Sequence, residues 1–130
     1  MPLEGLWWAE DMTSFSTDNK DDWLWTAMIM QPDVVTKEIY DEAVEQVRAK
    51  KSPPSIDKIR FETYDEGWAA QVLHVGPYAT EGPTIRQLHD FLEHQGSMLT
   101  DTTKHHHEIY LSDPRRTVPQ KLKTIIRQPL

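Results

Sequence analysis

The chain has 130 residues, a length typical of one domain, and its 38% hydrophobic and 27% charged residues are those of a globular protein. A net charge of −7 argues against a surface for nucleic acids or anionic membranes, because phosphate groups are bound by clustered Lys and Arg. The lack of cysteine excludes disulfides and thiol catalysis and is typical of a reducing compartment, so we expect a cytoplasmic protein. No apolar run approaches the roughly 18 residues of a membrane span, and no membrane partner is expected.

The first third of the chain predicts two strands and one helix. Residues 3–8 are short and aromatic, which indicates a strand, and the acidic run over residues 10–22 indicates a loop. Residues 23–30 form a continuous apolar run, which is typical of a buried strand. A helix is predicted after Thr36, a suitable N-cap, with one apolar stripe and an opposite charged face. These features describe a helix on the protein surface.

A hairpin is predicted in the middle of the chain. Pro53 and Pro54 must end the first helix. Residues 59–64 then alternate between apolar and polar types, and residues 65–67 have the composition of a turn. A second strand follows over residues 68–75 and is predicted to pair with the first.

The last part of the chain predicts one helix and two strands. The helix begins at Gly82-Pro83 and ends near Gly96, where glycine commonly caps a helix. Its apolar stripe has four members: Ile85, Leu88, Phe91 and Leu92. Strands are predicted over residues 107–111 and 124–128, with a helical turn between them over residues 119–122. Strands exceed helices, so we predict an α+β fold with an antiparallel or mixed sheet and helices on one face.

The strand over residues 107–111 carries a carboxylate that alternation separates from its apolar neighbours. Ile109 and Leu111 are expected on the side that meets the helices, and Glu108 and Tyr110 on the helix-free side. Such a face is often simply solvated in an antiparallel sheet. However, five tryptophans lie in or beside predicted strands, and two helices cannot cover them all: Trp7, Trp8, Trp23, Trp25 and Trp68. Some of them are therefore expected to line a concave surface with Glu108.

An aromatic-walled carboxylate has two uses that the sequence leaves open. It attracts an organic cation through its charge and through the faces of the rings. The same walls exclude water from the carboxylate, which suits general acid or base chemistry.

Several segments match a known family: residues 74–78 (HVGPY), 81–85 (EGPTI), 106–116 (HHEIYLSDPRR) and 121–129 (KLKTIIRQP). Residues 2–8 and 28–36 match as well, so the likeness runs over nearly the whole chain. On these residues the chain resembles the GyrI-like (gyrase-inhibitor-like) family of small-molecule-binding domains, and residues 1–130 are identified as one such domain.

The resemblance implies a particular architecture and a particular central residue. The family is similar to the effector-binding domains of multidrug-responsive regulators, which contain two pseudo-symmetric strand-helix-strand-strand (SHS2-like) units with a ligand pocket between them. Here the likeness covers the C-terminal part of the usual domain, so an incomplete pseudo-symmetric pair is expected. By motif position, the pocket glutamate would be Glu108. The ligand-binding residues expected with it are Tyr110 and Tyr78 and, from the placement of the tryptophans in or beside strands, Trp7, Trp8, Trp25 and Trp68.

The resemblance also implies alternative functions. The first is sequestration or sensing of aromatic small molecules that are cationic or electrophilic. The second follows stand-alone members that hydrolyse the cyclopropane of DNA-alkylating cyclopropanoids; Glu108 would then be the base for water, and Tyr110 or Tyr78 would stabilise the phenolate. The third is a protein-binding, gyrase-inhibitor-like module. No cofactor is expected, and a homodimer is expected to supply the missing wall, with Trp7 and Trp8 near the contact.

A metal site is the less favoured interpretation of the histidines. His105, His106 and His107, together with His74, could be interpreted as a ligand cluster. Adjacent residues of a strand point to opposite faces, however, and no spacing typical of zinc sites is present. We therefore predict no metal, and no phosphate loop or nucleophile elbow is found in the sequence either.

Overall fold

Five antiparallel strands form the sheet of the computed structural model, which describes residues 1–10, 23–51, 53–97 and 104–130. They are β1 (Leu3–Trp8), β2 (Leu24–Met28), β3 (Ala69–Val75), β4 (His106–Tyr110) and β5 (Lys123–Pro129). The helices are α1 (Lys37–Lys50) and α2 (Gly82–His94). The strand order is β2-β1-β4-β5-β3, so β2 and β3 are the edges. The predicted α+β fold with an antiparallel sheet is confirmed, and most of the predicted acidic loop lies outside the described residues.

The chain divides into two compact units, and the sheet and α2 belong to the larger one. This unit contains residues 1–29 and 66–130, and the smaller unit contains residues 30–65. Short 3₁₀ turns cover Tyr78–Thr80 and Pro119–Lys121 in the larger unit. No helix within the described ranges is long and apolar enough to span a membrane.

The core of the larger unit lies between α2 and one face of the sheet. Leu88 and Leu92 of α2 and Ile126 of β5 are all at most 4% exposed, and Ala70, Val72 and Ile85 pack against them. Leu88 and Leu92 are four positions apart and therefore share one side of the helix. Phe91 was predicted in the same stripe, but it is 56% exposed, because it lies about 100° around the helix from Leu92.

The face on which Glu108 lies differs from the prediction. In the register of the sheet, Glu108 of β4 is directly opposite Ile126 of β5, so the two side chains share a face. Ile126 is the residue that packs under α2. The expectation that Glu108 looks away from the helices is therefore wrong. Alternation separates the two faces of a strand, but both faces of β5 carry an isoleucine, Ile125 and Ile126, and the pattern cannot tell which one the helix covers.

Two strand predictions are also corrected. Residues 59–65 form no strand, and β3 pairs with β5 instead of forming a hairpin with them. The carbonyl of Ile59 accepts a bond from Tyr40 of α1, and Phe61 stacks on that ring, so this segment is bound to the helix. The apolar run that becomes β2 was expected to be buried, yet β2 is an edge strand with Trp25 63% exposed, since apolar content alone does not distinguish an edge from a centre.

In the smaller unit, α1 begins as predicted. The hydroxyl of Thr36 accepts a bond from the backbone N–H of Ile39, 3.4 Å away, which caps the helix N-terminus. None of the residues of α1 is buried, in agreement with a surface helix.

Candidate ligand-binding site around Glu108

Glu108 lies at the centre of β4, between two other strands. Gly5 of β1 is directly opposite on one side, and Ile126 of β5 is directly opposite on the other. Glu108 is buried, with 7% of the residue exposed. A central position in a sheet, under a helix, explains this burial.

Trp7 and Tyr110 share this face and are joined by a hydrogen bond. The indole N–H of Trp7 donates to the hydroxyl oxygen of Tyr110 over 3.0 Å. Both groups lie above Gly5: a Cβ at that position would be 2.7 Å from Trp7 Nε1 and 3.1 Å from the Tyr110 hydroxyl. Glycine opposite Glu108 is therefore what allows the two rings to approach.

Tyr78 reaches the same place from the turn before α2. Its ring meets that of Tyr110 edge to face, with centroids 5.8 Å apart. Buried His74 of β3 holds this turn: its Nδ1 lies 2.9 Å from the Thr84 hydroxyl, and its Nε2 lies 3.3 Å from the carbonyl oxygen of Pro77. Gly76, at φ 145°, provides the sharp backbone bend between the strand and the turn.

His106 is one residue of the site that sequence reasoning missed. Its Nε2 lies 3.1 Å from Oε1 of Glu108, and the two side chains are 5% and 9% exposed. The histidine run has no metal-type spacing, so that pattern does not single out His106. The signal that could have found the pair is the i, i+2 relationship, which places His106 and Glu108 on one face of one strand.

We call these five residues the Glu108 cluster: Trp7, Tyr78, His106, Glu108 and Tyr110. Burial, followed by the charge of Glu108 and a hydrogen bond to it, raises the pKa of Tyr110 far above the ordinary value of a tyrosine. Burial, with the charges of Glu81 and Glu108, also raises the pKa of Tyr78. Both phenols therefore keep their protons at neutral pH and remain hydrogen-bond donors beside a carboxyl group.

The other predicted ligand-binding tryptophans lie on the opposite face of the sheet or are mostly exposed. Trp8 points to the opposite face of the sheet and stacks on His105, with centroids 4.2 Å apart. Trp25 is paired with Trp7 across β2 and β1 but is mostly exposed. Trp68 is 86% exposed at the start of β3. The structure thus groups Trp7, Tyr78 and Tyr110 near Glu108, whereas Trp8 lies on the other face and Trp25 and Trp68 are mostly exposed.

The face of β4 away from α2 carries a second polar group of residues. Both ring nitrogens of His107 lie near carboxylate oxygens, Nε2 at 2.8 Å from Glu4 and Nδ1 at 2.7 Å from Glu66. Arg127 donates to Glu66 over 2.9 Å. We call these four residues the opposite-face network. Within the described part of the chain, no three His, Cys, Asp or Glu side chains are placed to hold a metal ion.

Comparison with known proteins adds to this geometry. The family model described as GyrI-like small molecule binding domain matches residues 1–130. The crystal structure of an uncharacterized conserved protein from Listeria innocua superposes with a TM-score of 0.84 at 41% identity. Two crystal structures described as hydrolases from the same organism, one of them encoded by lin2189, superpose with TM-scores of 0.77 and 0.81 at 38% and 39% identity. No curated protein matches the chain significantly.

These structures are longer than the present chain. Each comparison covers 98% of this chain, but only 61% or 62% of the other protein.

Proposed function

This chain belongs to the GyrI-like small molecule binding domain family, and on that premise we propose that it binds aromatic, cationic or electrophilic small molecules at the Glu108 cluster. Binding of this kind would serve sequestration or sensing of a drug or toxin. The observation that carries the proposal is the buried carboxyl group of Glu108, set among the rings of Trp7, Tyr78 and Tyr110.

The chemistry of the cluster favours a flat organic cation. A carboxylate away from water attracts positive charge more strongly than an exposed one, since the local dielectric constant is low. Aromatic faces add a further attraction for the cation and a surface for a flat ring. The net charge of −7 also favours the approach of cations.

Quenching of tryptophan fluorescence by N-methylquinolinium, a permanently charged flat cation, tests the proposal. We expect Glu108→Gln to weaken binding about tenfold, because the amide keeps the shape but removes the charge. Glu62→Gln is the matched control, since Glu62 is an exposed carboxylate whose side chain is 61% accessible. Equal effects of the two substitutions on binding would contradict the assignment of Glu108 to the binding site.

Hydrolysis is the second candidate, and two relatives described as hydrolases favour it. In this reaction Glu108 removes a proton from water, and the water oxygen forms a bond to a cyclopropane carbon of a cyclopropanoid as the ring C–C bond breaks. The electron pair moves to the conjugated carbonyl and gives a phenolate, which a tyrosine hydroxyl stabilises by donating a hydrogen bond. The phenolate then takes up the proton, so the product is the substrate plus one water.

Mass spectrometry of the product distinguishes the two candidates. With a cyclopropanoid in large excess over protein, a hydrolase gives a water-added product over many turnovers, and Tyr110→Phe slows its formation. Binding of one equivalent without this product would leave sequestration or sensing alone.

A homodimer is proposed separately. The edge strand β2 exposes Leu24 and Trp25, and open edges with apolar side chains are common contact surfaces. Light scattering gives the molar mass directly, and Trp25→Lys is expected to convert a dimer to a monomer. A monomeric mass for the unchanged protein would contradict this proposal.

A further inference from the structure

His106 and Glu108 form a buried pair on the face of the sheet that α2 covers. The Nε2 atom of His106 and the Oε1 atom of Glu108 are 3.1 Å apart, and each side chain is at least nine-tenths buried. A carboxylate can only accept hydrogen bonds, so Nε2 carries the hydrogen when Glu108 is ionised.

Tyr110 is a second neighbour of Glu108 on the same face. The charge of Glu108 contributes to the raised pKa of Tyr110, and the Tyr110 hydroxyl accepts a hydrogen bond from the indole of Trp7. The carboxylate thus has a protonated phenol on one side and His106 on the other.

From this arrangement we infer that His106 is a positioning residue that keeps Glu108 ionised and fixed, and thereby sets the preference of the Glu108 cluster for cations over neutral ligands of the same shape. The inference rests on the proposed binding function. It deepens that function by naming the residue that maintains the charge. Donation to the charged form of a buried carboxyl group favours ionisation, whereas burial alone opposes it.

The surroundings of the pair fit this role. From α2, His89 approaches His106, and burial is the main cause that lowers the pKa of His89. From the turn before α2 come Glu81 and Tyr78, and Tyr110 lies on the same strand as the pair. On this face β1 presents Gly5 and Trp7, which carry no charge. One proton taken up by the His106–Glu108 pair would cancel its negative charge and so abolish the preference for cations.

Equilibrium dialysis with two matched ligands tests the inference. The ligands are N-methylquinolinium and its neutral isostere 1-methylnaphthalene. His106→Leu removes the donor, and we expect the affinity for the cation to fall roughly tenfold or more while that for the neutral compound changes by less than about threefold. His106→Gln keeps an N–H donor and is expected to restore the cation affinity at pH 8. His105→Gln is the control, because His105 stacks on Trp8 on the other face.

The pH profile provides a readout that a purely structural role would not change. In the unchanged protein, cation affinity falls on acidification when the pair takes up a proton. In His106→Gln only the carboxylate can take it up, so the pH at which the affinity falls is expected to differ from that of the unchanged protein. Equal losses for both ligands in His106→Leu, or superimposable pH profiles for His106→Gln and the unchanged protein, would overturn the inference.

A direct measurement separates failure of this inference from failure of the binding proposal. Long-range ¹H–¹⁵N spectra of the histidine rings need no ligand. We expect the Nε2 signal of His106 to shift in Glu108→Gln and to stay unchanged in Glu62→Gln. If the protein binds neither ligand but shows this shift, the pair stands and the proposed function fails; no shift in Glu108→Gln contradicts the pair itself.

Discussion

Gly5 and Glu108 face each other across neighbouring strands, and the space that a side chain at Gly5 would take is occupied by the Trp7 indole and the Tyr110 hydroxyl. The absence of a side chain on β1 is thus part of the geometry around the carboxyl group on β4. Glycine within a strand usually weakens it, so its presence in the middle of β1 has a local explanation in this close approach.

Gly5→Ala should disrupt the Glu108 cluster. The new Cβ would lie 2.7 Å from Trp7 Nε1, so the indole must move and its bond to Tyr110 breaks. We expect a loss of about 1–3 kcal/mol in the free energy of unfolding, measured with urea, and weaker binding of N-methylquinolinium. Gly82→Ala is the control, because nothing lies within 4 Å of its added Cβ. Similar losses for both variants would count against the close packing.

His74→Ala should release the turn that carries Tyr78. The buried imidazole lies within hydrogen-bonding distance of the Thr84 hydroxyl and the Pro77 carbonyl oxygen. Its removal takes these hydrogen bonds away from both groups. A loss of about 1–3 kcal/mol in unfolding free energy is expected, together with weaker ligand binding. His94→Ala provides the comparison, since His94 is exposed at the end of α2, where its Nδ1 lies 2.6 Å from the backbone carbonyl oxygen of Asp90. If ligand binding were unaffected in His74→Ala, the position of Tyr78 would not depend on the contacts of His74.

Alkaline pH should destabilise the fold through two partly buried phenols. The pKa values of Tyr110 and Tyr78 are raised in the folded protein, mainly by burial, so the folded state keeps protons that the unfolded state releases above about pH 10. The unfolded state then binds fewer protons, and stability decreases as pH rises past that value. Urea unfolding at pH 7 and pH 10.5 measures the loss, which should be smaller in Tyr110→Phe. A loss of the same size in that variant would assign it to other groups.

Alanine substitutions test which side of α2 packs on the sheet. Leu92 is 2% exposed and contacts the core, whereas Phe91 is 56% exposed. We expect Leu92→Ala to lower the unfolding free energy by about 2–5 kcal/mol and Phe91→Ala to lower it by less than about 1 kcal/mol. A larger loss of unfolding free energy in Phe91→Ala than in Leu92→Ala would indicate that Phe91 faces the core.

Local patterns were sufficient for most elements of the fold. The N-cap at Thr36, the glycine-proline start of α2 and the alternation in β4 and β5 are encoded by neighbouring residues, and these elements occur where they were expected. The pairing of β3 was not predictable in this way. It depends on contact with β5, about 50 residues away, and residues 59–64 have an equally regular alternation.

The candidate site was predictable only in part. Glu108, Tyr110 and Tyr78 were singled out by motif position, and Trp7 by its aromatic strand. His106 and Gly5 were missed, because a hydrogen-bonded partner and a missing side chain matter only once the face and register are known. For the same reason the sequence could not separate Trp7, which reaches Tyr110, from Trp8, which points the other way.

The opposite-face network gives β4 a function beyond carrying Glu108. His107 is held between Glu4 and Glu66, while its neighbours His106 and Glu108 face α2. A shift of the strand by one residue would exchange these two sets of side chains and place His107 under the helix and Glu108 against two carboxylates. The hydrogen bonds of this network therefore favour the observed alignment of β4. The position of the Glu108 carboxyl group is maintained in part by residues on the far side of the sheet, which a ligand at the cluster would not contact.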